Sequence, residues 1–165
     1  MLDAMGLYRL ARRLHGLGVP LAPRLLRKLT LYLHNSFVPF EAQIGEATEL
    51  GYGGMGVVIH PAARIGRGVF IGPQVTIGGR AGLRGAPTIG DHVLIGAGAK
   101  VLGPITIGAR AVIGANAVVV RDVGEGAVMA GAPARQLRVV TLPGRWWADE
   151  ASWATGSLSP RRDPP

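Results

Sequence analysis

Four histidines, at positions 15, 34, 60 and 92, are the side chains of this sequence that could exchange a proton near neutral pH. Imidazole titrates close to working pH, so a histidine beside a hydroxyl group can act as a general base. His60 ends the stretch GYGGMGVVIH (51–60) and follows an aliphatic residue at a position where glycine recurs elsewhere in the chain. We therefore predict that His60 is catalytic, with a structural corner residue as the alternative.

The other three histidines have simpler predicted roles. His15 lies in an amphipathic stretch and His92 at an outward corner of a repeat, so both are expected to face solvent. His34 stands near the end of an N-terminal helical segment, where we expect a structural role or an approach to a neighbouring subunit's site. The sequence contains no cysteine and no cluster with metal-ligand spacing, so no metal site is predicted.

Residues 44–134 repeat with a period of six, which neither a helix nor a simple strand produces. Glycine follows many of the aliphatic positions, and a small or branched residue often stands four positions after them. The aliphatic positions are Ile59, Ile65, Ile71, Ile77, Leu83, Ile89, Ile95, Val101, Ile107, Ile113 and Val119. Hexads of this kind predict a solenoid, in which three hexads close a triangular coil and the aliphatic side chains stack inside. Glycine suits the corners because it accepts a positive φ and lets backbones approach closely.

Two faults interrupt this register. Leu50 and Ile59 are nine residues apart instead of six, which predicts a three-residue insertion within GYGGMG (51–56). Residues 78–87 keep the count but are rich in glycine and arginine, so we expect an excursion from the coil with Leu83 in register by accident or as an anchor. Loops that leave a rigid scaffold often carry function.

The segments that flank the repeat differ from it. Residues 1–40 are predicted to form two short helices packed on the main domain, the second with Leu25, Leu26, Leu29 and Leu33 as its apolar side. The alternative is a basic amphipathic surface on an anionic membrane. The solenoid is placed at 41–137, and residues 138–165 form a C-terminal extension and tail.

Composition narrows the partners of the chain. The formal charge of +8 suits nucleic acid, an anionic membrane surface or a phosphorylated ligand, but few aromatic residues are present to stack on bases, so nucleic acid is not predicted. No phosphate-loop or dinucleotide fingerprint occurs. No signal peptide is recognised at the N-terminus, and with the lack of cysteine this predicts a cytoplasmic protein.

Residues 87–135 resemble the hexapeptide-repeat acyltransferases, and within them the serine O-acetyltransferase branch. The segments that carry the resemblance are VTIGG (75–79), IGAGAKVLG (95–103) and AGAPAR (130–135). The resemblance implies a left-handed parallel β-helix, a homotrimer, and acetyl-coenzyme A bound between neighbouring solenoids. It also implies a histidine base that activates the hydroxyl of a small acceptor.

The family's own catalytic residues do not align with histidines here. Aligned through VTIGG (75–79), the family's Asp-His pair falls on Tyr52-Gly53 and its loop histidine on Ala86; a second alignment through IHP (59–61) places the pair on Gly72-Pro73. The acceptor is expected near Tyr52 and the backbone of Gly53 and Gly54. Gln74 is expected either to make a polar contact across the groove between subunits or to be an exposed turn residue. The cofactor is expected along Gly78, Gly79, Ala97, Ala99, Ala115, Ala117 and Arg121.

The sequence thus predicts an acetyl-coenzyme A-dependent O-acetyltransferase that acts on serine, a sugar or another small alcohol. The alternative is a catalytically silent trimeric scaffold or assembly subunit, because both family residues are missing.

Overall fold

A computed structural model describes residues 3–140, so most of the predicted C-terminal extension lies outside the described residues. Two helices come first, α1 at Ala4–Gly16 and α2 at Ala22–His34. Asp3 begins α1 as its N-cap, since its side chain accepts a hydrogen bond of 2.7 Å from the Gly6 amide. Neither described helix is long and apolar enough to span a bilayer.

Short strands follow and wind into a parallel solenoid with three faces. Face A consists of β3 (Val58–Ile59), β6 (Thr76–Gly78), β9 (Lys100–Leu102) and β12 (Val118–Val119). Face B consists of β1 (Gln43–Ile44), β4 (Arg64–Ile65), β7 (Thr88–Ile89) and β10 (Thr106–Ile107). Face C consists of β2 (Glu49–Leu50), β5 (Phe70–Ile71), β8 (Leu94–Ile95), β11 (Val112–Ile113), β13 (Ala127–Ala130) and the antiparallel β14 (Arg135–Val139).

The aliphatic ladder forms the core, as predicted. Ile59 pairs with Ile77, and Ile77 with Val101, so each inward side chain stacks on its equivalent one coil later. These three side chains are fully buried. The predicted parallel β-solenoid is therefore confirmed, while its left-handed sense stays a prediction.

The corner glycines are required for close approach and not for a positive φ, which corrects one of the two predicted reasons. A Cβ placed on Gly72 would lie 2.7 Å from the Ala97 amide nitrogen, and one on Gly96 would lie 2.6 Å from that of Ala115. The positive φ falls two residues later, on Gln74 and Gly98. Glycine therefore recurs at the positions where neighbouring coils touch, whereas the position with a positive φ, two residues later, accepts several residue types.

Both predicted register faults are confirmed. A turn at Gly51–Gly54 takes up three extra residues, because β1 and β4 are 21 residues apart where an uninterrupted coil needs 18. Residues 79–86 leave the coil between β6 and β7, and the pairing of β4 with β7 skips one whole hexad. Leu83 lies in this excursion and is 51% exposed, so it is in register only by count.

Helix α1 closes the first coil of the solenoid. Leu7, Tyr8 and Ala11 are buried, the Tyr8 hydroxyl donates to the Ala42 carbonyl at 2.9 Å, and the Ile44 amide donates to the same hydroxyl at 3.2 Å. Burial raises the pKa of the Tyr8 phenol, partly offset by the nearby Arg12 guanidinium. The helix thus covers backbone groups that would otherwise lie unpaired at an open end.

Replacing Tyr8 with phenylalanine is expected to lower the free energy of unfolding by about 1–3 kcal/mol, because the half-buried Ile44 amide loses its acceptor. Urea denaturation measures the change. The matched control is Tyr32→Phe, since the Tyr32 side chain is exposed on α2. Equal stabilities of the two variants would contradict this account of the helix contact.

Helix α2 does not bury the predicted apolar side. Its inward face carries Pro23, Arg27 and Thr30, and the Thr30 hydroxyl donates to the Leu26 carbonyl. Three of the four predicted leucines, Leu25, Leu29 and Leu33, are exposed instead. The expectation that this leucine face packs on the main domain is therefore wrong for α2, because the end of the solenoid is already covered by α1.

Candidate active site between two corners

Two corners border face A, and the predicted site residues divide between them. We call the corner before face A the entry corner (residues 51–57, 73–75, 97–99 and 115–117) and the corner after it the exit corner (60–62, 79–87, 103–104 and 120–122). The entry corner holds Tyr52, Gly53, Gly54, Gln74, Ala97, Ala99, Ala115 and Ala117. The exit corner holds His60, Gly79 and Arg121, with Gly78 at the end of β6. His60 follows Gly56 by four residue steps of extended chain, about 13 Å.

Regular hydrogen bonds align the entry corner into columns. The amide of Gln74 donates to the Met55 carbonyl, that of Gly98 to Pro73, and that of Asn116 to Ala97, each at 2.8 Å. Gln74, Gly98 and Asn116 all have a positive φ. Each coil therefore repeats the same corner conformation, and residues one coil apart present their side chains to the same groove.

His60 is half-buried at the exit corner. Its amide donates to the Ile77 carbonyl at 2.8 Å, and its ring Nδ1 accepts from the Ala62 amide at 3.1 Å. The ring lies beside Gly79, since a Cβ there would be 3.9 Å from His60 Cδ2. Because Nδ1 is an acceptor, the neutral ring carries its proton on Nε2. This tautomer suits donation to an oxygen, whereas the predicted role as a base requires a free nitrogen lone pair.

The turn that holds the predicted acceptor residues has an unusual backbone. Tyr52 and Gly53 have φ of 54° and 71°, and the Tyr52 side chain is 84% exposed. A left-handed conformation costs a non-glycine residue about 1–2 kcal/mol, and such strain persists where the surroundings impose it, often at functional sites. Gly54 is buried, and a Cβ there would lie 2.9 Å from Ala4 Cβ, so it has no space for a side chain.

Gln74 is an exposed turn residue of the entry corner. A Cβ on Gly56 would lie 3.1 Å from Gln74 Cγ, so the side chain covers that glycine. Its carbonyl accepts a hydrogen bond of 2.7 Å from Lys100 Nζ. Among the predicted acceptor residues, Gln74 and Tyr52 are therefore the two that present a polar side chain at the entry corner.

Two of the predicted cofactor alanines cannot line a groove with their side chains. Ala99 and Ala117 are fully buried, whereas Ala97 and Ala115 are exposed. The hexad explains the difference: the residue four after the inward aliphatic also points inward, and the residue two after it points outward. Arg121 is exposed and lines a cavity of 220 Å³ with Val120, Pro133 and Ala134.

A second cavity, of 710 Å³, lies between α1 and the first coil and includes Tyr8, Arg9, Arg12 and Glu46. It does not include a predicted site residue. Within residues 3–140, no three histidine or carboxylate side chains are grouped so that they could hold a metal ion.

His92 departs from its predicted solvent-facing role. It adopts a positive φ of 57° at the corner between faces B and C, and its Nδ1 is buried with no hydrogen-bond partner. The neighbouring Asp91 accepts from the Arg67 amide at 3.0 Å and from the Arg67 guanidinium at 3.1 Å. The amide contact lowers the pKa of Asp91, with a smaller contribution from the guanidinium.

The position of His34 at the entry corner was not predicted from the sequence. The Gly56 amide donates to the His34 carbonyl at 3.3 Å, and Phe37 pairs with Val58 on face A. A signal was available, because Val38 stands six residues before Ile44 and is buried in the same core. Continuing the hexad count one step upstream would have placed residues 34–36 at this corner.

Known proteins match both the sequence and the fold. The family model for the bacterial transferase hexapeptide (six repeats) matches residues 86–121. The crystal structure of serine acetyltransferase in complex with coenzyme A from Brucella abortus strain S19 aligns with a TM-score of 0.79 and 31% identity, over 85% of this chain and 56% of that chain. The predicted resemblance to the hexapeptide-repeat acyltransferases is confirmed.

Other acyltransferase relatives agree. Serine acetyltransferase from Neisseria gonorrhoeae in complex with serine aligns with a TM-score of 0.74 and 34% identity, over 80% of this chain and 54% of that chain. A serine acetyltransferase of Synechocystis sp. is 41% identical over 78 residues, which are 47% of this chain and 31% of the relative. The chain thus spans about a third of the curated acyltransferase it matches and just over half of the solved ones.

Proposed function

We propose that the protein is an acetyl-coenzyme A-dependent O-acetyltransferase that acts on a small hydroxyl compound. The observation that supports this most is the alignment, at 31% identity, with a serine acetyltransferase crystallised with coenzyme A. The neisserial relative was crystallised with serine, which makes L-serine the first acceptor to test. A sugar hydroxyl is the second, because histidine is absent at Gly53 and Ala86, where the first alignment expects it.

The site is proposed to form between subunits of a homotrimer. The acceptor residues and His60 lie at opposite corners of face A, about 13 Å apart, so they do not meet within one chain. A second copy that places its exit corner against the entry corner of the first would bring them together. The exposed Ala97 and Ala115 would then border the groove for pantetheine, and Arg121 could meet a phosphate. Native mass spectrometry tests the assembly, and a monomer at assay concentration would overturn it.

The proposed reaction needs a base, a donor and a leaving group. A histidine takes the acceptor's hydroxyl proton as the oxygen attacks the thioester carbonyl carbon. The carbon–sulfur bond then breaks, and the imidazolium returns its proton to the coenzyme A sulfur. A donor must hold the carbonyl oxygen while it is negative. His60, with its proton on Nε2, fits this second role better than its predicted role as the base.

His60→Ala is expected to reduce kcat by about 100-fold or more, as loss of either role would. Release of free thiol from acetyl-coenzyme A is measured with L-serine and a panel of sugars. The matched control is His15→Ala, because His15 lies on α1 against Phe40 and away from both corners. Activity of His60→Ala equal to wild type would remove His60 from the site. If the wild type binds coenzyme A but acetylates no acceptor, the scaffold alternative gains.

We also propose that α2 contacts an anionic membrane surface. Leu21, Leu25, Leu29, Tyr32 and Leu33 form an exposed stripe on one side of the helix. Residues 4–40 contain six Lys or Arg residues and no Asp or Glu. The charge favours anionic lipid over a second copy of α2, which would bring like charges together.

Flotation with vesicles tests the α2 contact. The protein should float with vesicles that contain phosphatidylglycerol and not with pure phosphatidylcholine, and Leu25→Glu should abolish flotation. Thr106→Glu on face B is the control, since it adds the same charge at an exposed position away from α2. An absence of flotation would overturn the membrane contact, and a Leu25→Glu variant that changes only the oligomeric mass would assign the stripe to a second copy instead.

A further inference from the structure

The end of α2 is attached to the acceptor turn by several hydrogen bonds. The Gly56 amide donates to the His34 carbonyl, the Phe37 amide donates to the Val57 carbonyl at 2.8 Å, and the Ser36 hydroxyl donates to the Gly54 carbonyl. Ser36 is fully buried. Residues 34–37 therefore act as one further coil of the entry corner, held rigidly against residues 54–57.

His34 stands at the head of an outward column of this corner. The amide that donates to its carbonyl belongs to Gly56, and the equivalent amides of Gln74, Gly98 and Asn116 donate to Met55, Pro73 and Ala97. Asn35, which follows His34, has a positive φ of 49°. The residues that follow Met55, Pro73 and Ala97 also have a positive φ. His34 is thus the structural equivalent of Ala97, which borders the proposed pantetheine groove. Three coil spacings separate the two residues, about 14 Å.

The imidazole of His34 reaches the glycine where the family's histidine aligns. A Cβ on Gly53 would lie 3.8 Å from His34 Nδ1. In the alignment through VTIGG (75–79), Gly53 takes the position of the family's histidine. The turn at Gly51–Gly54 contains no histidine, but His34, from a different part of the sequence, lies beside it. Tyr52, the neighbour of Gly53 in that turn, is exposed.

We propose that His34 is the general base of the acetyl transfer, which rests on the function proposed above. A ring nitrogen of His34 takes the proton of the acceptor hydroxyl while its oxygen bonds to the thioester carbonyl carbon. The carbon–sulfur bond breaks, and the proton passes from His34 to the departing sulfur, so no other reactant is needed. His60 of a neighbouring copy donates its Nε2 proton as a hydrogen bond to the carbonyl oxygen. The two histidines thus have separate roles, matched to the tautomer of His60.

Kinetics of His34→Gln test the proposal. The variant is expected to lose about 100-fold or more in kcat, with KM for acetyl-coenzyme A changed by less than about threefold, because the base acts in the transition state. The acidic limb of kcat against pH, which a histidine base produces in the wild type, should disappear. Added imidazole should restore part of the turnover of His34→Ala, which a structural role would not allow. His15→Gln is the control and should behave as wild type.

The outcomes separate the two proposals. If the wild type acetylates an acceptor and His34→Gln retains more than about a tenth of its kcat, His34 is not the base and the proposed function stands. If the wild type releases no thiol with any acceptor, both fail. If His34→Gln does not fold, as judged by circular dichroism, the His34 Cε1 signal of the wild type is followed by NMR. Titration of that signal with the acidic limb of kcat supports the proposal, and a signal that does not titrate overturns it.

Discussion

Gly72→Ala is expected to lower the free energy of unfolding by about 3 kcal/mol, which corresponds to a melting temperature lower by about 10 °C. A Cβ on Gly72 would lie 2.7 Å from the Ala97 amide nitrogen and 2.9 Å from Ala97 Cα. Both contacts are with backbone of the next coil, which cannot turn aside as a side chain would. The Gly72 amide also donates to the Ile95 carbonyl at 2.8 Å, so separating the coils would strain this hydrogen bond.

The control for this effect is Gly124→Ala. A Cβ on Gly124 meets nothing within 4 Å, and its φ is not positive. We expect its stability to stay within about 0.5 kcal/mol of wild type, as for most exposed substitutions. Thermal unfolding followed by circular dichroism measures both. Similar melting temperatures for the two variants would mean that coil-to-coil approach does not explain the repeated glycine.

Ile77→Ala is expected to cost about 2–5 kcal/mol, because it leaves a cavity at the centre of the ladder. Ile77 is fully buried and stacks between Ile59 and Val101 on face A. The coils above and below are fixed by their own hydrogen bonds, so the space cannot collapse well. The upper half of this range is therefore expected, measured by urea denaturation.

Leu83→Ala is the matched control for the ladder. Leu83 occupies the same phase of the six-residue count as Ile77 but lies 51% exposed in the excursion. We expect its loss to cost less than about 1 kcal/mol. A Leu83→Ala variant as unstable as Ile77→Ala would show that residues 79–86 contribute to the core after all.

Much of the fold could be predicted, because a solenoid is built from contacts that repeat. Ile59, Ile77 and Val101 are spaced by the coil itself, so the count of six residues contains their pairing. The three-residue insertion and the excursion were visible as faults in the same count. The outward leucines of α2 were not predictable in this way, because a helical stripe shows that a face is apolar and does not show what covers it.

The candidate site was predicted only in its components. The sequence identified His60, Tyr52, Gln74 and the outward alanine at position 97 as residues of interest. It did not show that His60 and Tyr52 lie at opposite corners, since residues 51–60 are adjacent in the chain and read as one motif. Two short strand residues separate the corners, and that extended geometry keeps the two groups apart.

The sequence by itself determined the hexad, the aliphatic ladder, its two faults and the acyltransferase resemblance, because each depends on local spacing along the chain. Only the tertiary structure decided the tautomer of His60, the burial of Ala99 and Ala117, and the position of His34 beside Gly53. These depend on which backbone groups meet across coils. Hydrogen bonds such as Gly56 to His34 join residues 22 positions apart, and no local pattern in the sequence specifies them.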